Sequence, residues 1–102
     1  MKRRVVWSRV GSADFADIVG YLNKESPSAA RRVAGALLAA AKGLGEHATG
    51  RPGRVGGTYE KVVRSLPYII AYSVDGDASS ERIVILRVIH GARDWPEGAW
   101  PG

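Results

Sequence analysis

Arg82-Ile83-Val84-Ile85-Leu86-Arg87-Val88-Ile89 is the stretch that decides the fold. Its β-branched residues favour an extended chain, and its length suits a strand. The run Ile83-Val84-Ile85-Leu86 is apolar at successive positions. Both faces are therefore expected to be covered, with the strand central in its sheet. Working backwards, Asp75-Gly76-Asp77 with Ala78-Ser79-Ser80 has the composition of a hairpin loop. Pro67 to Val74 reads as the preceding strand, carrying Tyr68, Ile69, Ile70, Tyr72 and Val74. Leu66-Pro67 marks a turn, and Tyr59 to Arg64 is the strand before it. The segment from His47 to Thr58 holds Gly50, Gly53, Gly56, Gly57 and Pro52 and reads as a loop.

Upstream the periodicity changes from two to 3.6. Phe15, Ile18, Val19 and Leu22 fall at i, i+3, i+4 and i+7, one apolar stripe of a helix ending near Lys24 or Glu25. Ser12 is the expected cap, and Asp14 and Asp17 suit the positive end of the helix dipole. Ser26-Pro27 opens a second helix, because serine caps well and proline fits the first turn. Its expected buried face is Ala30, Val33, Ala34, Leu37, Leu38, Ala41 and Leu44, and Gly43 and Gly45 are expected to stop it. So short a junction predicts an antiparallel helix hairpin. Arg3 to Ser8, with Val5, Val6 and Trp7, reads as a first strand. Its neighbour in the chain is a helix, so it has no local strand to pair with and must join an edge or slot beside a later strand. The order β-α-α-β-β-β predicts an α+β fold: a helix hairpin on a small, mostly antiparallel sheet.

The 102 residues suit one domain, with residues 92–102 an irregular tail. Apolar residues at 45% and charged residues at 25% match ordinary globular chains and exclude fibrous and wholly disordered classes. Cysteine is absent, which removes disulfide frameworks and thiolate chemistry. Met1-Lys2-Arg3-Arg4 is followed by only Val5-Val6-Trp7, too short for a secretory apolar segment. Val33 to Ala41 is far short of the ~20 residues that span a bilayer. A soluble, cytoplasmic protein is expected.

Charge is uneven. Residues 1–64 hold twelve Lys/Arg against five Asp/Glu, and residues 65–102 hold three against five, which gives the net +5. Eleven of the fifteen cations are arginine, which forks well onto phosphate or carboxylate. Two readings fit: a polyanionic partner (nucleic acid or an acidic protein), or a basic solvated surface.

Several chemistries lack their residues. The Gly50–Gly57 loop has neither the spacing nor the flanking strand and helix of a phosphate cradle. No metal and no cofactor is expected: the histidines are His47 and His90 alone, and no helix supports His90 and Asp94 as a ligand pair. No Gly-x-Ser-x-Gly is present. The densest candidate site is the end of the central strand, Arg87-Val88-Ile89-His90-Gly91-Ala92-Arg93-Asp94-Trp95. His90 is suited to acid–base work, and Arg87 and Arg93 to stabilising a phosphate. The same residues also fit a purely structural role. His90 then caps the sheet, Arg93 pairs with Asp94 or Glu97, and Trp95 lids the core.

Taken together, Trp7-Ser8, Ser26-Pro27-x-Ala29-Ala30, Gly50-Arg51-Pro52-Gly53, Leu66-Pro67-Tyr68-Ile69-Ile70-x-Tyr72 and Ile85 through Pro96 resemble the RelE/ParE superfamily of type II toxin–antitoxin toxins. The resemblance implies one of two activities. ParE-like members inhibit DNA gyrase by binding, in plasmid stabilization modules among others. RelE-like members are ribosome-dependent mRNA endonucleases. On the nuclease reading Arg64, Arg87 and His90 would be catalytic. Pro67-Tyr68 stands where nucleases commonly carry an arginine, and Gly91 where a tyrosine often succeeds the histidine, so the resemblance leans to ParE. The target-binding residues are then expected among Arg51, Arg54, Arg87, His90, Arg93 and Trp95. A ParD-like, ribbon-helix-helix antitoxin is the implied partner, reaching operator DNA itself and the toxin through a tail. Arg31, Arg32, Leu37, Tyr68 and Tyr72 are the expected antitoxin contacts.

Overall fold

The computed structural model describes residues 3–53, 55–76 and 80–91. The chain runs β1 (Arg4–Trp7), α1 (Arg9–Glu25), α2 (Pro27–Glu46), β2 (Arg51–Pro52), β3 (Tyr59–Val62), β4 (Tyr68–Asp75) and β5 (Arg82–His90). The sheet order is β1-β5-β4-β3-β2. β1 lies parallel to β5, and the other three pairings are antiparallel. The α+β fold class and the element order expected from the sequence are those observed, and β1 takes an edge beside β5.

Ser8, not Ser12, caps α1. Its Oγ accepts from the Gly11 N–H at 2.9 Å and donates to the Leu86 carbonyl at 3.2 Å. Its own N–H donates to the Ile85 carbonyl at 2.9 Å. One serine therefore ends β1, starts α1 and pins both to β5, whereas Ser12 lies inside the first turn, donating to the Ser8 carbonyl. Such close approach leaves no room on Gly11, where a Cβ would sit 2.6 Å from the Ile85 carbonyl oxygen.

Ser26 closes α1 through its N–H to the Leu22 carbonyl and opens α2 by accepting from Ala29. The helices thus turn back on a single residue. α2 does not stop at its glycines but runs to Glu46, with His47 as C-cap. Gly45 has a packing role instead: its carbonyl accepts from the Arg3 N–H at 2.7 Å, and a Cβ there would lie 2.5 Å from the Arg3 carbonyl oxygen.

The core joins Val33, Leu37, Ala41 and Leu44 of α2 to Ile70 and Tyr72 of β4 and Ile83, Ile85 and Val88 of β5. Burying one such side chain is worth roughly 1.5–3 kcal/mol. Leu38 does not belong to this face. It is 50% exposed on the flank of α2. β5 is interior, as expected, but only alternately buried: Ile83 and Ile85 are buried, Val84 and Leu86 half-buried. The loop before β3 contains a two-residue strand at the sheet edge. Proline is compatible with that position because an edge strand need not donate on both sides. A bulge in β5 completes the frame. Ala71 pairs with Arg87 and Tyr72 with Ile85, leaving Leu86 as the extra residue.

A candidate functional site at the end of the sheet and the grooves beside the second helix

Beyond the bulge, Arg87 is held by Asp14 of α1. Its Nε donates to Asp14 Oδ2 at 2.9 Å and its Nη2 to Oδ1 at 3.2 Å. Asp14 Oδ2 also accepts the Val88 N–H at 3.0 Å. The carboxylate is thus saturated by a forked pair and a backbone donor, a strong arrangement for a partly buried site. The hydrogen bond to Asp14 pushes the Arg87 guanidinium further above its usual value, against the opposing effect of burial.

His90 pairs across the ladder with Tyr68, the rings meeting edge-on at 5.7 Å. Together with Asp14, Asp17, Tyr21 and Arg87 they line a cavity of about 460 Å³ between α1 and the end of β5. Two carboxylates, Asp14 and Asp17, thus stand beside Arg87 among the described lining residues, an acidic setting that disfavours a phosphate there. Arg64 is not brought into this cavity. It lines a separate groove with Ala36, Ala40, Lys61 and Val62. The three residues expected for nuclease chemistry are therefore divided between two places.

The other expected contacts scatter similarly. Arg51 is exposed on β2, 3.6 Å from the buried carboxylate of Glu60. Arg31 and Arg32 are exposed on α2. Tyr68 is half-buried. Arg54, Arg93 and Trp95 lie outside the described residues. Leu37 and Tyr72 are 0% and 1% exposed, so they are core residues and present no surface to an antitoxin. Burial pushes the Tyr72 phenol up, and its oxygen accepts the Gly50 N–H at 2.9 Å. Tyr59 stacks on it at 5.5 Å.

Sequence reasoning missed the pairing of Asp14, whose partner is 73 residues away. A pair of open grooves flanks α2. The first, about 530 Å³, lies against β3 at Lys61 to Arg64. The second, about 420 Å³, lies against β1 and is lined by Arg4, Val5, Trp7, Leu38 and Lys42. Both combine an apolar floor with cations. Val62 and Leu38 stand exposed beside them, although Leu38 reads as core in the sequence. Among the described residues no group of three His, Asp or Glu is placed to hold a metal, and no helix is long and apolar enough to cross a membrane.

Residues 5–95 match the family described as ParE toxin of type II toxin-antitoxin system, parDE. The chain belongs to the ParE toxin family. It is 35% identical over 97 residues to the protein named "Putative toxin Y4kP" of Sinorhizobium fredii (strain NBRC 101917 / NGR234), covering 94% of this chain and 96% of that protein. Its fold is similar to a solved chain of the chromosomal ParDE TA system from P. aeruginosa, with a TM-score of 0.76 and 24% identity. That match covers 87% of this chain and 96% of the other. The protein is thus a toxin of a type II toxin–antitoxin system, and the ParE side of the superfamily is the correct one.

Proposed function

We propose that this ParE-family toxin arrests cells by binding DNA gyrase, without cutting RNA, and that a ParD-like antitoxin neutralises it in the cytoplasm. The carrying observation is the Asp14–Arg87 clamp. An RNA-cleaving site needs cations free to meet the charge that develops on the scissile phosphate. Here the strand-end arginine is already committed to a carboxylate, and its surroundings carry a second acid, Asp17. Binding requires no such cations. Arg51 and His90 are the described residues proposed to meet the target, and Arg31 and Arg32 on α2 to meet the antitoxin. The antitoxin alone is proposed to contact operator DNA.

The test is direct. Purified toxin added to gyrase and relaxed plasmid should block supercoiling, and its induction should raise the DNA-damage response before protein synthesis falls. Untouched supercoiling together with messages cut within codons, lost in His90→Ala, would reverse the assignment in favour of the endonuclease.

A further inference from the structure

We infer that the cavity between α1 and the end of β5 receives a lysine or arginine side chain of the protein target, an inference that rests on the gyrase reading above. Asp14, Asp17, Ile18 and Tyr21 follow one another at i, i+3, i+4 and i+7, so a single face of α1 forms one wall. Tyr68 and the last residues of β5 form the other. The Arg87 fork is already matched by Asp14. Asp17 is exposed and has no ion-pair partner among the described residues. It is therefore the carboxylate that an incoming cation would meet.

Aromatic rings complete the setting. Tyr21 is 65% exposed, and no other large hydrophobic residue among those described is more so. A tyrosine so placed adds little to the core, and its ring face is open to a partner. Tyr68 and His90 meet edge-on across the cavity from it. A guanidinium or ammonium is attracted to ring faces as well as to a carboxylate. The aliphatic stem of either side chain suits Ile18 and Ile89 in the lining. Charge selects against the alternatives. A phosphate or an acidic peptide would face Asp17 while Arg87 is committed elsewhere. The grooves flanking α2 have the opposite sign, with Lys61 and Arg64 in one and Arg4 and Lys42 in the other. A chain of net charge +5 thus keeps an acidic, aromatic recess at the end of its central strand, complementary to a basic surface.

The experiment titrates full-length toxin into purified gyrase with relaxed plasmid and reads the concentration that halves supercoiling. Asp17→Asn should raise it roughly 10-fold, and Asp17→Lys further. Tyr21→Ser should raise it about three- to tenfold, whereas Tyr21→Phe, which keeps the ring, should change it by less than about twofold. Asp75→Asn makes the same charge change at the opposite end of β5, where Asp75 pairs with Arg82 on the surface, and should leave inhibition unchanged. Asp17 and Tyr21 are exposed, so the variants should melt with the wild type. Full inhibition by Asp17→Lys overturns the inference while leaving the gyrase reading intact. So does a loss that Asp75→Asn reproduces, which would reduce the effect to net charge. Weakened capture of the product of the adjoining reading frame, with inhibition unchanged, would give the cavity to the antitoxin and overturn the inference as well. Wild-type toxin that leaves supercoiling untouched overturns both.

Discussion

The two sides of the sheet handle their charges in opposite ways. On the α1 side the helix lies so close to β5 that Gly11 admits no side chain, and Asp14 absorbs both the Arg87 fork and the Val88 N–H. On the β3 side α2 leaves a groove, the cations Lys61 and Arg64 face it, and Val62 stands exposed. The first region is completed by the fold itself. The second has the makings of a surface completed by another chain. A count of arginines therefore says little until their partners are known. Arg87 and Arg64 read as equivalent in the sequence and are not.

The hardest way to break this contrast is Asp14→Ala. It leaves a partly buried guanidinium and a backbone N–H without their acceptor, at an expected cost of about 2–4 kcal/mol. For a chain of this size that is a large share of total stability. Urea unfolding should show it plainly, and Arg87→Met in the same background should recover part of the loss. A loss below about 0.5 kcal/mol would mean that the pair is a surface ornament. Arg87 would then have to be regarded as available to a ligand.

How much of this is legible in the sequence differs by element. The helix hairpin can be read because Ser26-Pro27 and the stripe through Leu37, Ala41 and Leu44 are local patterns. The strands can be read because their apolar runs are bounded by Gly76 and Pro67. Glycine is ambiguous, since a stop signal and a close contact need the same residue, and Gly45 is the contact. Leu38 reads as core because alanines on either side blur the edge of the apolar stripe. The clamp is illegible, because nothing at Asp14 distinguishes a dipole partner from an ion-pair partner 73 residues away. Leu37 and Tyr72 have the apolar bulk of contact residues, and that bulk serves the core instead.

A smaller perturbation sharpens the closeness of the α1 side. Gly11→Ala gains helix propensity of about 1 kcal/mol but pushes a methyl group into the Ile85 carbonyl. Overpacking of that kind costs about 1–3 kcal/mol, so the expected net is a destabilisation near 1–2 kcal/mol, read from the unfolding midpoint. A stabilised Gly11→Ala would show that α1 can lift from β5 without penalty.

Tyr72 tests the loop beneath β2. Tyr72→Phe removes the acceptor for the Gly50 N–H and should cost about 1 kcal/mol. Its pH dependence has a definite sign. The folded phenol titrates above its unfolded value of 10.0, chiefly through burial. Its contribution is therefore complete below the unfolded value and is lost as pH rises from there through the folded one. The wild type should lose stability across that alkaline range more steeply than Tyr72→Phe, in melts followed by circular dichroism. Parallel curves would mean that the phenol is free to ionise in the folded chain.

The smallest effect comes from the outward face of α2, where Gly35 is exposed and a Cβ would meet nothing within 4 Å. Gly35→Ala should therefore stabilise the toxin by about 0.5–1 kcal/mol, the helix-propensity gain with no steric penalty. The same change discriminates between ways of neutralising the toxin. If the antitoxin leaves the Arg31 and Arg32 face of α2 uncovered, the methyl group is remote from it, and the complex keeps its affinity while the free toxin melts higher. If the antitoxin lies across the top of α2, the small residue is what lets it approach, and the alanine weakens the complex even as it strengthens the helix. Melting temperature and complex affinity measured on this one variant thus separate a property of the helix from a property of the interface, and a higher melting temperature with a weaker complex would place the antitoxin on the face of α2 that carries Arg31 and Arg32.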